Sequence, residues 1–518
     1  MSESKRVIVV GGGVGGLAAA IRLGANGHRV TLVERNDTLG GKLNRRVLPH
    51  PNRPGEHFTF DTGPSLLTLP FVFEQLFHSG GAELQERLDL VRLDPISRFT
   101  WPDGTKFELC RDRVDTLENV RRLSPGDVDG FAAFLDRGQR VWDLAGELFL
   151  SHAPEQLIHN GGGPRQGLAM ATVPFRIGMF QRYAKLVDRH VRHEKLRAVL
   201  YQYATYSGAS PWKAPGTLCV IPHAEMHFGG WYVRGGMYRL AEALADLARE
   251  NGVEIVTGVS VSRIDVDASA VTGVTLSDGQ HLDADLVVCN ADTISAFREL
   301  IDPDHRPHRP DAKLDKLDPG GSGMVLLLGV DGELPEIAHH HKFMPADYLG
   351  EGGDLRAMFD LGTTPDDPCI YVCRSSATDP TQAPAGCENL FVLVSAPAIH
   401  GKGASIDWST HGDTYRDRVL DLLERRCGLE GLRQKIMVED RWTPPDLRDR
   451  YRANAGGIYG VGGNGRIQAF LRPPNRDKRL KNLLFAGGAT HPGGGLPLVA
   501  LSGKIVSELA EADFAAAG

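Results

Sequence analysis

The chain has 518 residues, 42% of them hydrophobic and 24% charged, with a formal net charge of −7. That balance excludes a disordered chain, a collagen-like repeat and a globally basic nucleic-acid-binding surface, and the length predicts two or three folding units. Glycine is the anomaly: 61 residues make roughly 12% against an average of about 7%, so glycine is expected at special backbone positions.

No apolar run reaches the ~20 residues of a membrane-spanning helix. The opening string MSESKRVIVV has neither the long apolar core nor the small-residue cleavage site of a secretory signal, which predicts a cytoplasmic protein. Cys110, Cys219, Cys289, Cys369, Cys373, Cys387 and Cys427 are odd in number and are read as free, buried thiols.

In chain order, residues 7–10 form a β-branched run that predicts a buried parallel strand. Gly11, Gly13 and Gly16 follow in G-x-G-x-x-G spacing, then an alanine- and leucine-rich helix stopped at Gly27, then a strand at 30–33 ending in Glu34. The chemistry of a dinucleotide site accounts for each part. Gly11 allows the tight turn, Gly13 lets amides approach a pyrophosphate, Gly16 lets helix and strand pack closely, and the helix start stabilises the anion. Glu34 is placed to accept hydrogen bonds from ribose hydroxyls. Gly15 and Arg35 are assigned to the same site.

The strings LGGK at 39–42 and FDTGP at 60–64 come next. Residues 76–224 are expected to be mainly helical, with Phe131, Phe134, Leu135, Trp142, Ala145 and Phe149 on one apolar face. Between 173 and 197, Phe175, Ile177, Met179, Phe180, Tyr183, Leu186 and Val187 are interleaved with Arg176, Arg182, Lys185, Arg189, Arg192, Lys195 and Arg197. Such a basic amphipathic segment suits an anionic membrane surface; the alternative is a core helix with a solvated basic face. His223 and Glu225 precede a Gly229-Gly230 turn and are the candidates for proton handling.

Farther along, a helix is predicted at 237–251 and strands at 253–257 and 259–264, the second carrying Val261. A hairpin turn is expected at Asp278-Gly279, and a strand at 285–291 that contains Asn290. Runs at 324–330 and 390–394 suit a sheet roofing the site. His339, His340 and His341 are adjacent, but on a strand neighbours face opposite ways. That leaves His339 and His341 on one face with no carboxylate or cysteine at ligand spacing, so no metal is expected. Arg374, Ser375 and Asp379 are read as a turn over a substrate channel. The chain closes with a strand at 483–485, the glycines Gly487, Gly488 and Gly493 to Gly495, and a helix predicted at 498–509 that opens with Leu498 and Val499.

The strings LGGK, FDTGP, HFGGWYVRGGMYRLAEALADLARENGVEI (227–255), AHHH (338–341), TDPTQAPAG (378–386) and THPGGGLPLVALSGK (490–504) together resemble the bacterial-type carotenoid (phytoene) desaturase family. That family consists of FAD-dependent oxidoreductases within the amine-oxidase-like flavoprotein superfamily. The resemblance implies an α/β fold with a discontinuous Rossmann-like FAD-binding domain (1–75, 225–297 and 480–518). With it come a mainly helical substrate- and membrane-associating region (76–224) and a substrate-binding sheet domain (298–479).

It implies FAD held by Gly41 and Lys42 beside its phosphate and ribityl region, Gly63 and Pro64 near the flavin, and Val261 backbone groups at the adenine. Asn290, Gly487, Gly488, Leu498 and Val499 would complete the site. Lys42 stands where arginine is more usual, keeping the charge but losing the bidentate fork. The implied substrate is an apolar C30 or C40 polyene delivered at a peripheral membrane surface, and the leading implied reaction is desaturation by hydride transfer. Oxidation of a terminal methyl group to aldehyde or acid is the alternative within the family. A non-enzymatic prenyl-lipid carrier and a soluble-amine oxidase are the alternatives outside it. A single dinucleotide fingerprint points to oxygen or a membrane quinone, in place of a second nucleotide, as the terminal electron acceptor.

Overall fold

The computed structural model describes residues 3–146, 150, 152, 173–464 and 472–517. Five parallel strands make the first sheet, in the order Leu483–Phe485, Leu286–Cys289, Arg6–Val10, Arg29–Val33 and Glu254–Val256. The valines and leucines of the four strands other than the edge strand Glu254–Val256 are buried on both faces, as a parallel sheet covered on both sides requires. The helices Val14–Ala25, Tyr238–Glu250 and Leu496–Ala517 cover one face. The other is covered by the antiparallel strands Val261–Asp267, Ala270–Leu276 and His281–Asp283 and by the helix Thr293–Leu300. The turn before the last strand has Gly279 at φ +89°, a conformation that glycine adopts without strain. A Cβ on Gly503 would come within 2.6 Å of the Gly15 carbonyl oxygen and 2.7 Å of Ala18 Cβ. The last helix can therefore lie against the first only because that position has no side chain.

The second unit is a seven-stranded mixed sheet in the order Ile436–Trp442, Gly321–Asp331, Cys387–Pro397, Ile370–Cys373, His340–Phe343, Ser97–Thr100 and Lys106–Leu109. The helix Trp408–Arg425 packs on one face through Tyr415, Val419, Leu420 and Leu423. Two of these strands come from the stretch expected to be mainly helical, which also supplies Leu90–Arg92 to a small two-stranded sheet. Alternation in SRFT and KFEL around Asp103-Gly104 is the signal for that hairpin, and Gly104 sits at φ +82°.

Among its described residues that stretch also carries the helices Arg113–Leu123, Val128–Val141, Tyr183–His190, Glu194–Tyr201 and Val220–Phe228. Phe131, Phe134 and Leu135 are buried; Phe149 lies outside the described residues. Residues 173–197 are not one amphipathic helix. They break at a turn over 177–180 and again at 191–193, and Tyr183, Leu186 and Val187 belong to the core. Only Phe175 and Phe180 are exposed among the large apolar side chains of that segment. All seven cysteines are free; Cys369 and Cys427 are half-buried and the other five buried.

Candidate active site

A cavity of about 910 Å³ runs between the two units. Its nucleotide end is built from the first strand–turn–helix. Gly11, Gly13 and Gly15 line it, whereas Gly16 packs inward, where a Cβ would stand 2.2 Å from the Gly11 carbonyl oxygen. Gly13 is the N-cap of the helix Val14–Ala25; no side chain caps this end and its first turn holds no acid. An uncapped helix start leaves amide donors and a partial positive charge facing the cavity, the arrangement a pyrophosphate needs.

Glu34 is buried at the tip of the second strand. Its Oε2 accepts from the Gly12 amide at 2.8 Å and its Oε1 from Asn36 N at 2.9 Å and Asn36 Nδ2 at 2.8 Å. The carboxylate is thus fixed in orientation while its remaining lone pairs face the cavity that it lines. Arg35 also lines the cavity and donates to the Asp449 carbonyl.

Asn290 Nδ2 donates to Gly11 O at 3.2 Å and ties the two central strands together at the glycine turn. Gly41, Lys42, Gly63, Pro64, Val261, Gly487, Gly488, Leu498 and Val499 all border the same space. A Cβ on Gly63 would fall 1.8 Å from the Lys42 carbonyl oxygen, so the two loops approach through that glycine. Lys42 Nζ donates to Gly457 O at 3.0 Å and Ile458 O at 2.6 Å. Burial pushes its ammonium down to about 8, against the nearby charge of Asp292. Arg472, missed by motif reading, donates to Gly488 O at 3.1 Å and Tyr459 O at 3.3 Å. A bare helix start, an acid at the ribose position and glycines whose Cβ atoms would collide with their neighbours fit an extended dinucleotide cofactor.

Beyond Gly63 and Pro64 the cavity becomes a chamber. Trp142, Ile177, Met179, Ile221, Val325, Phe391 and Leu393 give it an apolar wall. Set into that wall, along with buried Asp354 and His340, is a polar cluster. Glu225 accepts from Tyr203 Oη at 2.6 Å and Tyr206 Oη at 3.2 Å, and Lys342 Nζ donates to Gln202 Oε1. The Lys342 ammonium also lies 5.3 Å from the Phe99 ring centroid and 5.6 Å from that of Tyr206, within cation–π range. Burial raises the Glu225 carboxyl above its ordinary value, opposed by Lys342 and the two tyrosines. Burial lowers the Lys342 ammonium, opposed by Glu225. Ser65, directly after Pro64, is 2.6 Å from Tyr371 Oη, and Tyr371 Oη is 2.8 Å from His340 Nδ1. A hydrogen-bonded chain therefore runs from the loop at 63–65 into the sheet.

His223 and Glu225 do not act together. Two positions apart on the helix Val220–Phe228, they project to nearly opposite sides. Glu225 lines the cavity; His223 packs beside His227, with ring centroids 5.2 Å apart. Burial first, then His227, push it down to about 4. Arg374, Ser375 and Asp379 do not border the cavity among the described residues. Arg374 pairs with Glu388 at 2.6 Å, and Asp379 accepts from the amides of Gly235 and Thr381.

The histidine run also departs from expectation, because the strand begins at His340 and His339 lies just before it. The rings of His339 and His340 lie 4.5 Å apart, whereas His341 stacks on Phe343 at 4.1 Å and bonds Thr100 Oγ1 at 2.9 Å. Cys373, distant in sequence, stands opposite His340 across the sheet.

Asp354, buried at the cavity wall, gives a pH-dependent prediction. Burial pushes its carboxyl from 3.8 up to about 6, against hydrogen bonds from Ser395 and the Cys369 amide. A group raised on folding leaves stability intact below its unfolded value and reduces it as pH climbs through the folded value. Asp354→Asn is expected to gain about 1–3 kcal/mol over the native chain at about pH 8 and almost nothing near pH 4. Thermal melts at the two pH values check this; an equal gain at both would contradict it.

A Rossmann-like sheet with a dinucleotide cradle, opening into a chamber under a mixed sheet, defines a two-unit flavin-dependent oxidoreductase. Residues 14–510 match the flavin containing amine oxidoreductase family, and the chain belongs to that family and uses FAD. It is 36% identical over 515 residues to a 4,4'-diapolycopene oxygenase of Methylomonas sp, covering 99% of both proteins. It is also 36% identical over 511 residues to a 4,4'-diaponeurosporene oxygenase of Staphylococcus haemolyticus, covering 98% of this chain and 97% of that one. Among solved structures, an oxidoreductase from Methanosarcina mazei superposes with a TM-score of 0.63 at 17% identity, covering 97% of this chain and all of that one. A cyclohexylamine oxidase from Brevibacterium oxydans gives 0.58 at 16%, covering 98% and 99%. At those identities the structures establish the shared fold alone.

Proposed function

We propose that this flavoenzyme oxidises a terminal methyl group of a linear C30 or C40 carotenoid to an aldehyde. The motifs alone led to internal desaturation; the full-length relatives named as oxygenases favour the alternative. The observation that carries the reading is the cluster of Glu225, Tyr206, Gln202 and Lys342 on a largely apolar chamber wall that continues from the cofactor cradle. A hydrocarbon that acquires oxygen at one end needs an apolar sleeve with donors at one place.

Gly11, Gly13, Gly15, Glu34, Lys42, Val261, Asn290, Gly487, Gly488, Leu498 and Val499 would hold FAD, with Gly63 and Pro64 at the flavin end. FAD supplies the two-electron acceptor that no side chain provides. Loss of a hydride from the methyl group leaves a cation spread over the polyene. Water adds at that carbon, and Glu225, its basicity raised by burial, takes the proton. A second hydride loss from the carbinol carbon, with departure of the hydroxyl proton, gives the aldehyde; each loss needs oxidised FAD, so an external acceptor of the oxygen or quinone class has to remove one electron pair after each of the two steps. Lys342 and the Gln202 amide nitrogen, which has no partner among the described residues, donate to the developing oxygen. In a host that accumulates linear carotenoids, mass analysis is expected to find products that gain oxygen. Products that only lose hydrogen pairs would overturn the assignment.

Substrate entry from a membrane surface is supported by Phe175 and Phe180. They are 73% and 43% exposed, with ring centroids 5.1 Å apart, and they flank cavity-lining Ile177 and Met179. No helix among the described residues is long and apolar enough to cross a membrane, so attachment would be peripheral. The double change Phe175→Asp and Phe180→Asp is expected to weaken binding to anionic liposomes at least about 10-fold, given ~1.5–3 kcal/mol per buried aromatic. Flotation measures this, and unchanged flotation would contradict it.

A further inference from the structure

We propose that His339, His340 and Cys373 form a binding site for one zinc ion, beside the flavin cradle and distinct from it. The proposal is independent of which carotenoid bond the enzyme oxidises. One ring nitrogen of each histidine and Cys373 Sγ lie within 4.8 Å of one another, and all three residues are buried. Topology fixes the grouping. His340 faces Cys373 in antiparallel register, and the His339 carbonyl accepts from the Arg374 amide at 2.8 Å.

His339 Nδ1 meets Thr378 Oγ1 at 2.6 Å and His340 Nδ1 meets Tyr371 Oη at 2.8 Å, while Nε2 of both rings is buried without a partner. In the tautomer that donates Nδ1–H to the hydroxyl, the Nε2 lone pair is free for an ion, the usual support of a metal-bound imidazole. Two imidazoles and a thiolate are a donor set that zinc accepts, with a fourth position left for water.

Zinc binding would form the Zn–S bond and release the Cys373 thiol proton; no electron moves. Burial first, then the Asp61 carboxylate, push the Cys373 thiol up, so the ion itself has to displace that proton; Asp61 Oδ2, buried without a partner among the described residues, offers the bound cation a counter-charge. Zinc–ligand bonds of about 2.0–2.3 Å put donors roughly 3.3–3.8 Å apart, so the group has to contract by about 1 Å, within the reach of side-chain torsions. His340 also lines the cavity, so a bound ion would set the angle of the ring that holds Tyr371 and, through it, Ser65.

The test uses untagged, FAD-loaded full-length protein, equilibrated with Zn(II) and passed over a chelating resin. About one zinc per chain is expected by elemental analysis, with X-ray absorption showing one sulfur near about 2.3 Å and nitrogens near about 2.0–2.1 Å. Cys373→Ser and His339→Ala are expected to keep less than about one tenth of that zinc, with FAD content unchanged. The exposed-site control His78→Ala is expected to keep all of it. Native protein that retains no zinc, a spectrum without the sulfur shell, or full retention in Cys373→Ser would overturn the site.

Discussion

Gly13→Val is expected to yield folded protein that has lost FAD, with affinity at least about 100-fold weaker, or about 3 kcal/mol. A Cβ at this position would stand 2.8 Å from Asn290 Nδ2, and that nitrogen cannot retreat without giving up its bond to Gly11 O. The two methyl groups of valine would then project over the uncapped amides of the helix start, the place the pyrophosphate needs. Gly126→Ala is the matched control, because a Cβ there meets nothing within 4 Å. The flavin-to-protein absorbance ratio of each purified variant, before and after reconstitution, reports the difference. Full FAD occupancy in Gly13→Val would show that the cradle has been misplaced.

Glu225→Gln should leave FAD bound and reduce turnover about 10²- to 10⁴-fold, the range for losing a positioned general base. The amide keeps the shape, and its one oxygen can accept from Tyr203, which holds Oε1 of the native carboxylate at 2.6 Å, while its nitrogen would have to donate to Tyr206, which holds Oε2 at 3.2 Å; it cannot take a proton. The native enzyme should lose activity as pH falls through the raised Glu225 value, since only the ionised carboxylate is a base; the residual activity of the glutamine variant should not show that limb. Lys342→Met should weaken turnover as well, by removing the donor from the same wall. A glutamine variant with native turnover would move proton handling elsewhere.

The two ends of the cavity differ in how far sequence alone reveals them. The nucleotide end is written locally. Strand, glycine turn, helix and acid occupy residues 6–34 and can be read by spacing, because each element touches its neighbour in sequence. The chamber is assembled by the sheet order. Gln202 and Tyr206 share one short helical turn, but Glu225, Lys342 and Tyr371 come from a separate helix and two strands, and no spacing rule links the set. Cys373 was invisible as a partner of His340 for the same reason, since antiparallel register brings them opposite each other.

Helix geometry separates His223 from Glu225, and the period of 3.6 was enough to show it once the helix Val220–Phe228 was given. The segment at 173–197 misled because its aromatics looked like one face. Breaks at two turns send Tyr183, Leu186 and Val187 into the core and leave Phe175 and Phe180 outside.

The central claim is that the carbon attacked is a terminal methyl and not an internal saturated bond. The most direct measurement incubates the purified FAD enzyme with a linear polyene that is already fully conjugated, held in liposomes, and determines the product by mass spectrometry. Such a molecule has no bond left to desaturate but keeps its terminal methyl groups. Terminal oxidation predicts a product with one oxygen gained and two hydrogens lost, at native Glu225 and not at Glu225→Gln. No reaction with this substrate, together with loss of hydrogen pairs from a partly saturated one, would contradict it.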